Sequence, residues 1–256
     1  MNAHLQSYLV PVIGAFALSL CAGCHLSTNE SRAQIANVGN QKSLSASRDE
    51  IKLLPVDESN LDPSFQEFRN QLINAVRNRD KVFVLTVLAQ DIKNGYDIEP
   101  GVNEFRRRWR PSDPESSVWH VLTGVLAGGG SFNNSHTQFC GPYFISQWPK
   151  VVQQLPKGTD TLDYVAITGK DVPVRRDAHV TAPVVATLSY DVVKSIPDSQ
   201  ILDRSTPGAS SWVKVKTATG QEGFVLDSYI GGPLDYGVCF TKKNAKWMMT
   251  ELAARE

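Results

Sequence analysis

The chain has 256 residues, enough for one large domain or two small ones with a core that needs no disulfide to fold. Its 26 Lys and Arg balance 26 Asp and Glu, giving a formal net charge of zero. That balance excludes a global electrostatic drive toward nucleic acid or an anionic membrane, so partners must be argued from local features.

The run from Tyr8 to Leu20 is apolar, and the chain turns polar after Cys24. It falls short of the about 20 residues that span a bilayer, and no core element follows it, so it reads as a secretory signal. The tetrapeptide Cys21-Ala22-Gly23-Cys24 resembles a bacterial lipobox. The resemblance implies a signal peptide over 1–23 and a lipoprotein acylated (palmitate) at Cys24. His25 at the next position implies, by the same resemblance, a lipid-anchored place in the outer membrane facing the periplasm. A cleaved secreted protein and an uncleaved anchor remain the alternatives.

Residues 24–60 are rich in Ser, Asn, Gln and Asp and contain no aromatic side chain. They offer too little apolar surface to offset ordering entropy and read as a lipidated, flexible tether. The 36 residues from His25 to Asn60 would span about 35 Å as a coil.

Residues 61–155 read as the helical part of an α+β domain. Phe65, Phe68, Leu72, Ile73 and Val76 share one helical face, with Asp62 as cap and Pro63 in the first turn. Asp80 to Ala89 suits either a second helix or a buried strand; its place after a short Arg-Asn-Arg-Asp link favours helix. Gly101 to Arg110 and Glu115 to Leu126 read as two more helices, the second stopped by Gly128 to Gly130. In Phe105-Arg-Arg-Arg-Trp-Arg110 the aromatic residues fall at i and i+4, a buried stripe with solvated arginines and not a nucleic-acid patch.

From Phe139 onward the texture is that of strands. Candidates are Tyr164 to Ile167, Val172 to Arg175, Val184 to Leu188, Trp212 to Thr217 and Glu222 to Val225. Their spacing suggests a small all-β barrel over 161–230. Within it, Val172-Pro173-Val174-Arg175, Ala182 to Leu188, Trp212-Val213-Lys214-Val215 and Gly220 with Gly223-Phe224-Val225 follow one another as in bacterial SH3-like domains, which this region resembles. Val172, Val174, Leu188, Val213 and Val215 would fill the interior. The resemblance implies a non-catalytic module that binds peptidoglycan or an envelope protein peptide. Tyr190, Asp191, Trp212 and Tyr229 are the expected groove, an aromatic surface for an extended peptide and a carboxylate for its amine.

Residues 235–254 alternate as a β-hairpin about Lys243-Asn244-Ala245, and a lone hairpin is marginal. It therefore completes the α+β domain, a set of helices over a small antiparallel sheet, with the barrel inserted. Late hairpin and early helices together resemble the cone-shaped α+β superfamily of ketosteroid isomerase and nuclear transport factor 2, which implies a pocket between helices and sheet. A small-molecule or enzymatic pocket there, and a structural accessory role to a cell-wall enzyme, are the alternatives to peptide binding.

Cys140 and Cys239 would flank the inserted region in one sheet and pair as a disulfide in an oxidising compartment; two buried free thiols are the alternative. Catalysis by Cys140 with His136 is disfavoured by chain order and by Gly141-Pro142 after the cysteine. His120 could join Asp91 or Tyr96 in a pocket, though a core or surface histidine is the simpler reading. No HExxH, phosphate loop or GxSxG element occurs. The expectation is no catalytic residue, no metal, no cofactor and no nucleic-acid partner.

Overall fold

The computed structural model describes residues 50–196, 201–203 and 210–254. The signal peptide over 1–23, the acylation site Cys24 and the tether as far as residue 49 lie outside the described residues.

Local capping chemistry sets the helices. Helix α1 (Pro63–Arg77) starts at Asp62, whose carboxylate accepts the Ser64 and Phe65 N–H groups at 2.8 and 3.2 Å. Helix α2 (Lys81–Thr86) starts the same way at Asp80, and strand β1 (Leu88–Lys93) follows directly. The stretch from Asp80 to Ala89 is thus helix and then strand: the cap governs its first half, and pairing with a distant strand claims Leu88 and Ala89.

In α3 (Val102–Trp109) Phe105 and Trp109 are buried while Arg106, Arg107 and Arg108 are exposed. Helix α4 (Ser117–Ala127) is capped by the Ser116 hydroxyl and buries Val118, Trp119, Leu122, Val125 and Leu126. Strands β2 (Ser131–Phe132) and β3 (Gln138–Gly141) and the short helices α5 (Tyr143–Ser146) and α6 (Trp148–Val152) complete the first half.

The second half is β-rich: β4 (Tyr164–Ile167), β5 (Val172–Arg175), β6 (Val184–Leu188), β7 (Val192–Ser195), β8 (Ile201–Asp203), β9 (Ser210–Lys216), β10 (Glu222–Leu226), β11 (Ile230–Gly231), β12 (Tyr236–Lys243) and β13 (Lys246–Ala254). These elements form two sheets, and the architecture is mixed α+β.

The first sheet has the order β1-β13-β12-β3-β2. Strands from before and after the second sheet therefore share it, with the C-terminal hairpin at its centre. Asn244 and Ala245 both have positive φ, 49° and 62°, as a two-residue hairpin turn requires. The sheet is mixed and not wholly antiparallel as expected, because β1 runs parallel to β13.

Phe65 anchors the core beneath the helices, its ring 4.4 Å from Phe139 and 4.8 Å from Trp247. Trp119, Leu122, Phe240, Met249 and Leu252 close around it. Cys140 and Cys239 face each other across β3 and β12 and form a disulfide, their Cα atoms 4.2 Å apart. Phe139 and Phe240 are the adjacent register pair, so alternation sets the disulfide on the face away from that core.

The second sheet has the order β11-β4-β7-β9-β10-β5-β6, with β8 pairing β9 off this path. Its pairs are antiparallel. Ile167, Val172, Val174, Val193, Val215 and Val225 pack together inside it. Among the described residues no pairing joins β11 to β6, so the strands form an open path and not the closed barrel expected over 161–230. Three strands of this sheet went unanticipated, β7, β8 and β11; β8 falls in the stretch before Trp212.

Residues 50–60 depart most from expectation. They are not tether but a strap: Val192 N–H donates to the Ile51 carbonyl and Leu53 N–H to the Tyr190 carbonyl, each at 2.8 Å. Further on, Gly130 N–H donates to the Val56 carbonyl at 2.9 Å and Glu58 N–H to the Gly130 carbonyl at 3.0 Å. Leu53 is buried with Tyr143, Trp148, Val151, Ala166 and Val192. Gly129 has φ +63°, and a Cβ there would strike the Val56 carbonyl of the strap, so only glycine lets strap and sheet meet so closely.

Candidate functional site

Alternation along three adjacent strands builds the site. In β5, Val172 and Val174 enter the valine interior, so Pro173 and Arg175 face outward. In β9, Val213 and Val215 pack toward that interior, so Trp212 and Lys214 face outward; in β10 the same rule turns Phe224 and Leu226 out. Register then sets Leu226 beside Trp212, and Phe224 between Lys214 and Arg175. The ladder between β10 and β5 is registered at Phe224 and Arg175, beyond Pro173, which has no N–H to give it.

Pro173, Arg175, Val180, Trp212, Leu226 and Tyr229 line a cleft of about 200 Å³ on this outer face. Trp212 is 1% exposed, and its indole N–H has no acceptor among the described residues. The indole N–H groups of Trp109, Trp119 and Trp148 are buried without acceptors in the same way, so this state does not mark the cleft. Tyr229 is 41% exposed and forms the open wall. Arg175 is half-buried, and its Nη1 donates to the Ala182 carbonyl at 2.7 Å, which fixes the guanidinium beside the cleft. Its neighbour Lys214 is engaged with Glu222 at 2.9 Å.

The four groove residues expected from sequence do not form one groove. Trp212 and Tyr229 share the cleft. Asp191 is instead buried, its carboxylate accepting from Lys52 Nζ at 2.6 Å and from Ser189 N–H at 2.7 Å. Tyr190, in the left-handed region at φ 61°, donates its N–H to the Gly169 carbonyl and accepts from Leu53. An amine does sit on the Asp191 carboxylate, but it belongs to the chain's own strap. Burial pulls the Lys52 ammonium down, and the Asp191 carboxylate more than offsets this, leaving its pKa raised. Sequence reasoning missed Pro173, Arg175, Val180 and Leu226. The signal for Pro173 and Arg175 was present, since an inward Val172 and Val174 oblige both to face outward.

A larger cleft of about 640 Å³ lies on the first sheet, lined by Asp91, Lys93, Tyr96, Ile98 and Glu251 among others. Asp91 is ion-paired with Lys243 at 3.1 Å, whose hydrogen bond holds its carboxyl below the usual range. Tyr96 is largely exposed, and His120 is exposed on α4 and does not line this cleft.

Cys140 lies in the disulfide and holds no thiol, while His136 stacks on Phe132 at 5.3 Å. Among the described residues no group of three or more His, Cys, Asp and Glu side chains could hold a metal ion. No helix among them is long and apolar enough to cross a membrane. The chain matches no family model, no curated protein and no solved structure.

Proposed function

We propose that this chain is a non-catalytic, lipid-anchored protein of the bacterial cell envelope whose second sheet, an SH3-like module, binds a peptide of the cell wall or of an envelope protein. One observation carries the reading: Trp212 and Tyr229 meet in a cleft on the outer face of β9, β10 and β5, with Pro173, Val180 and Leu226 as its apolar walls. An apolar side chain would fill the cleft against its two rings. The Cys140–Cys239 disulfide suits an oxidising compartment, as the lipobox-like segment ending at Cys24 does. The cleft of about 640 Å³ on the first sheet supports the alternative of a small-molecule site less well, because Asp91 is already neutralised by Lys243.

Purified peptidoglycan incubated with the full chain and its Tyr229→Ala variant tests the reading. Retention of the wild type and its loss on Tyr229→Ala is the expected result; equal retention of both removes the cleft, and no retention removes the cell-wall ligand. In the same preparations, Cys24→Ser should move the chain from the detergent to the aqueous phase. Unchanged partitioning would refute the anchor.

A further inference from the structure

We infer that the Trp212–Tyr229 cleft reads the end of a peptide, seating a small apolar last residue and pairing its free α-carboxylate with Arg175. The inference rests on the peptide-binding reading above and names the chemistry of the ligand.

Charge complementarity comes first. Arg175 is the charged residue of the cleft; the other lining side chains, Pro173, Val180, Trp212, Leu226 and Tyr229, carry no charge at neutral pH. No carboxylate of the described residues lies within ion-pair distance of Arg175, whereas Lys214, in the same register row across Phe224, has Glu222 and Arg176 has Asp177. The single bond from Nη1 to the Ala182 carbonyl leaves most of the five guanidinium N–H donors for a planar anion. A half-buried cation in an apolar cleft without a counter-ion is poorly solvated and favours an anionic ligand.

Size then selects the chain end over a mid-chain acidic residue. At about 200 Å³ the cleft is smaller than the about 300 Å³ at which ordinary ligand pockets begin. It has room for a terminal residue and not for a run of extended chain. Pro173, Val180 and Leu226 supply apolar walls, which match a small aliphatic side chain.

The test uses the full chain in detergent and three N-terminally fluorescein-labelled peptides followed by anisotropy. They are Gly-Gly-Gly-Ala with a free carboxylate, the same peptide as its amide, and Gly-Gly-Glu-Ala amide. The free acid should bind at least about ten-fold more tightly than its amide, the size expected of one charge-assisted contact. Arg175→Gln should shrink that ratio to below about two-fold, and added salt should weaken the acid selectively.

Equal binding of acid and amide overturns the carboxylate inference while leaving peptide binding in place. A Glu-bearing amide that matches the acid overturns recognition of the chain end. Failure of all three peptides at millimolar concentration overturns both this inference and the reading beneath it. Should Arg175→Gln lose its fold through the Ala182 contact, the acid-to-amide ratio of the wild type still decides.

Discussion

The two sheets dispose their aromatic residues in opposite ways. Under the helices, Phe65, Phe105, Trp109, Trp119, Phe139, Phe240 and Trp247 are all buried in one core. The second sheet fills its interior with Val and Ile and sets Trp212, Phe224 and Tyr229 outside it. Trp212 is nonetheless fully buried on that outer face, so the ring it leaves open to solvent is Tyr229, 41% exposed. The first region gathers its rings in one core, and the second sets Trp212 and Tyr229 around a cleft on its outer face.

The sharpest break in this contrast is a pair of truncations. Phe65 meets Phe68, Phe132, Phe139, Phe240 and Trp247 within 6.1 Å between ring centres. Phe65→Ala should therefore destabilise the protein by about 3–5 kcal/mol in urea denaturation. Tyr229→Ala, at a wall that is 41% exposed, should change stability by less than about 0.5 kcal/mol while removing ligand retention. Comparable losses in the two variants would dissolve the distinction between a packing region and a presenting one.

A second, smaller effect lies at the neck between the regions. The Cys140–Cys239 bridge closes a separation of 99 residues that contains every strand from β4 to β11. Constraining an unfolded loop of this length stabilises by typically about 2–4 kcal/mol. A reductant should lower the urea midpoint of the wild type accordingly and leave a Cys140→Ser, Cys239→Ser double variant unmoved. Equal midpoints with and without reductant would mean that the second sheet adds nothing to the unfolded chain's freedom.

What could be read from sequence divides along the same line. The cap at Asp62, the Phe105 and Trp109 stripe, and the turn at Asn244 rest on neighbours within a few residues, so local pattern sufficed. The cysteine pairing followed from placing both at one sheet. The strap at 50–60 was invisible, because its order comes from backbone bonds to Tyr190, Val192 and Gly130 and from a Lys52–Asp191 pair 139 residues apart. No periodicity marks such a segment. For the same reason Tyr190 and Asp191 were grouped with Trp212: chemistry suggested a groove, while only tertiary contacts show that the strap already occupies their side. Arg175 was overlooked because an outward strand arginine is ordinary until its lack of a carboxylate partner is known.

The smallest effect expected concerns acid. Asp62 accepts from the Ser64 hydroxyl at 2.6 Å and from Lys242 Nζ at 3.1 Å, tying α1 to β12 in the packing region. The Ser64 hydrogen bond foremost, with help from Lys242 and the Phe65 and Ser64 N–H groups against the cost of burial, holds the carboxyl at about 2, down from 3.8. A folded-state value below the unfolded one means the stabilisation is complete above 3.8 and disappears as pH falls through about 2. Asp62→Ala should cost about 1 kcal/mol near neutral pH, the size of a lost helix cap, and progressively less below pH 3.8. Thermal melts of both proteins across that range measure it. A gap between them that stayed constant with pH would show that the cap acts through shape and not charge, and that the packing region owes nothing at this point to an ionised carboxylate.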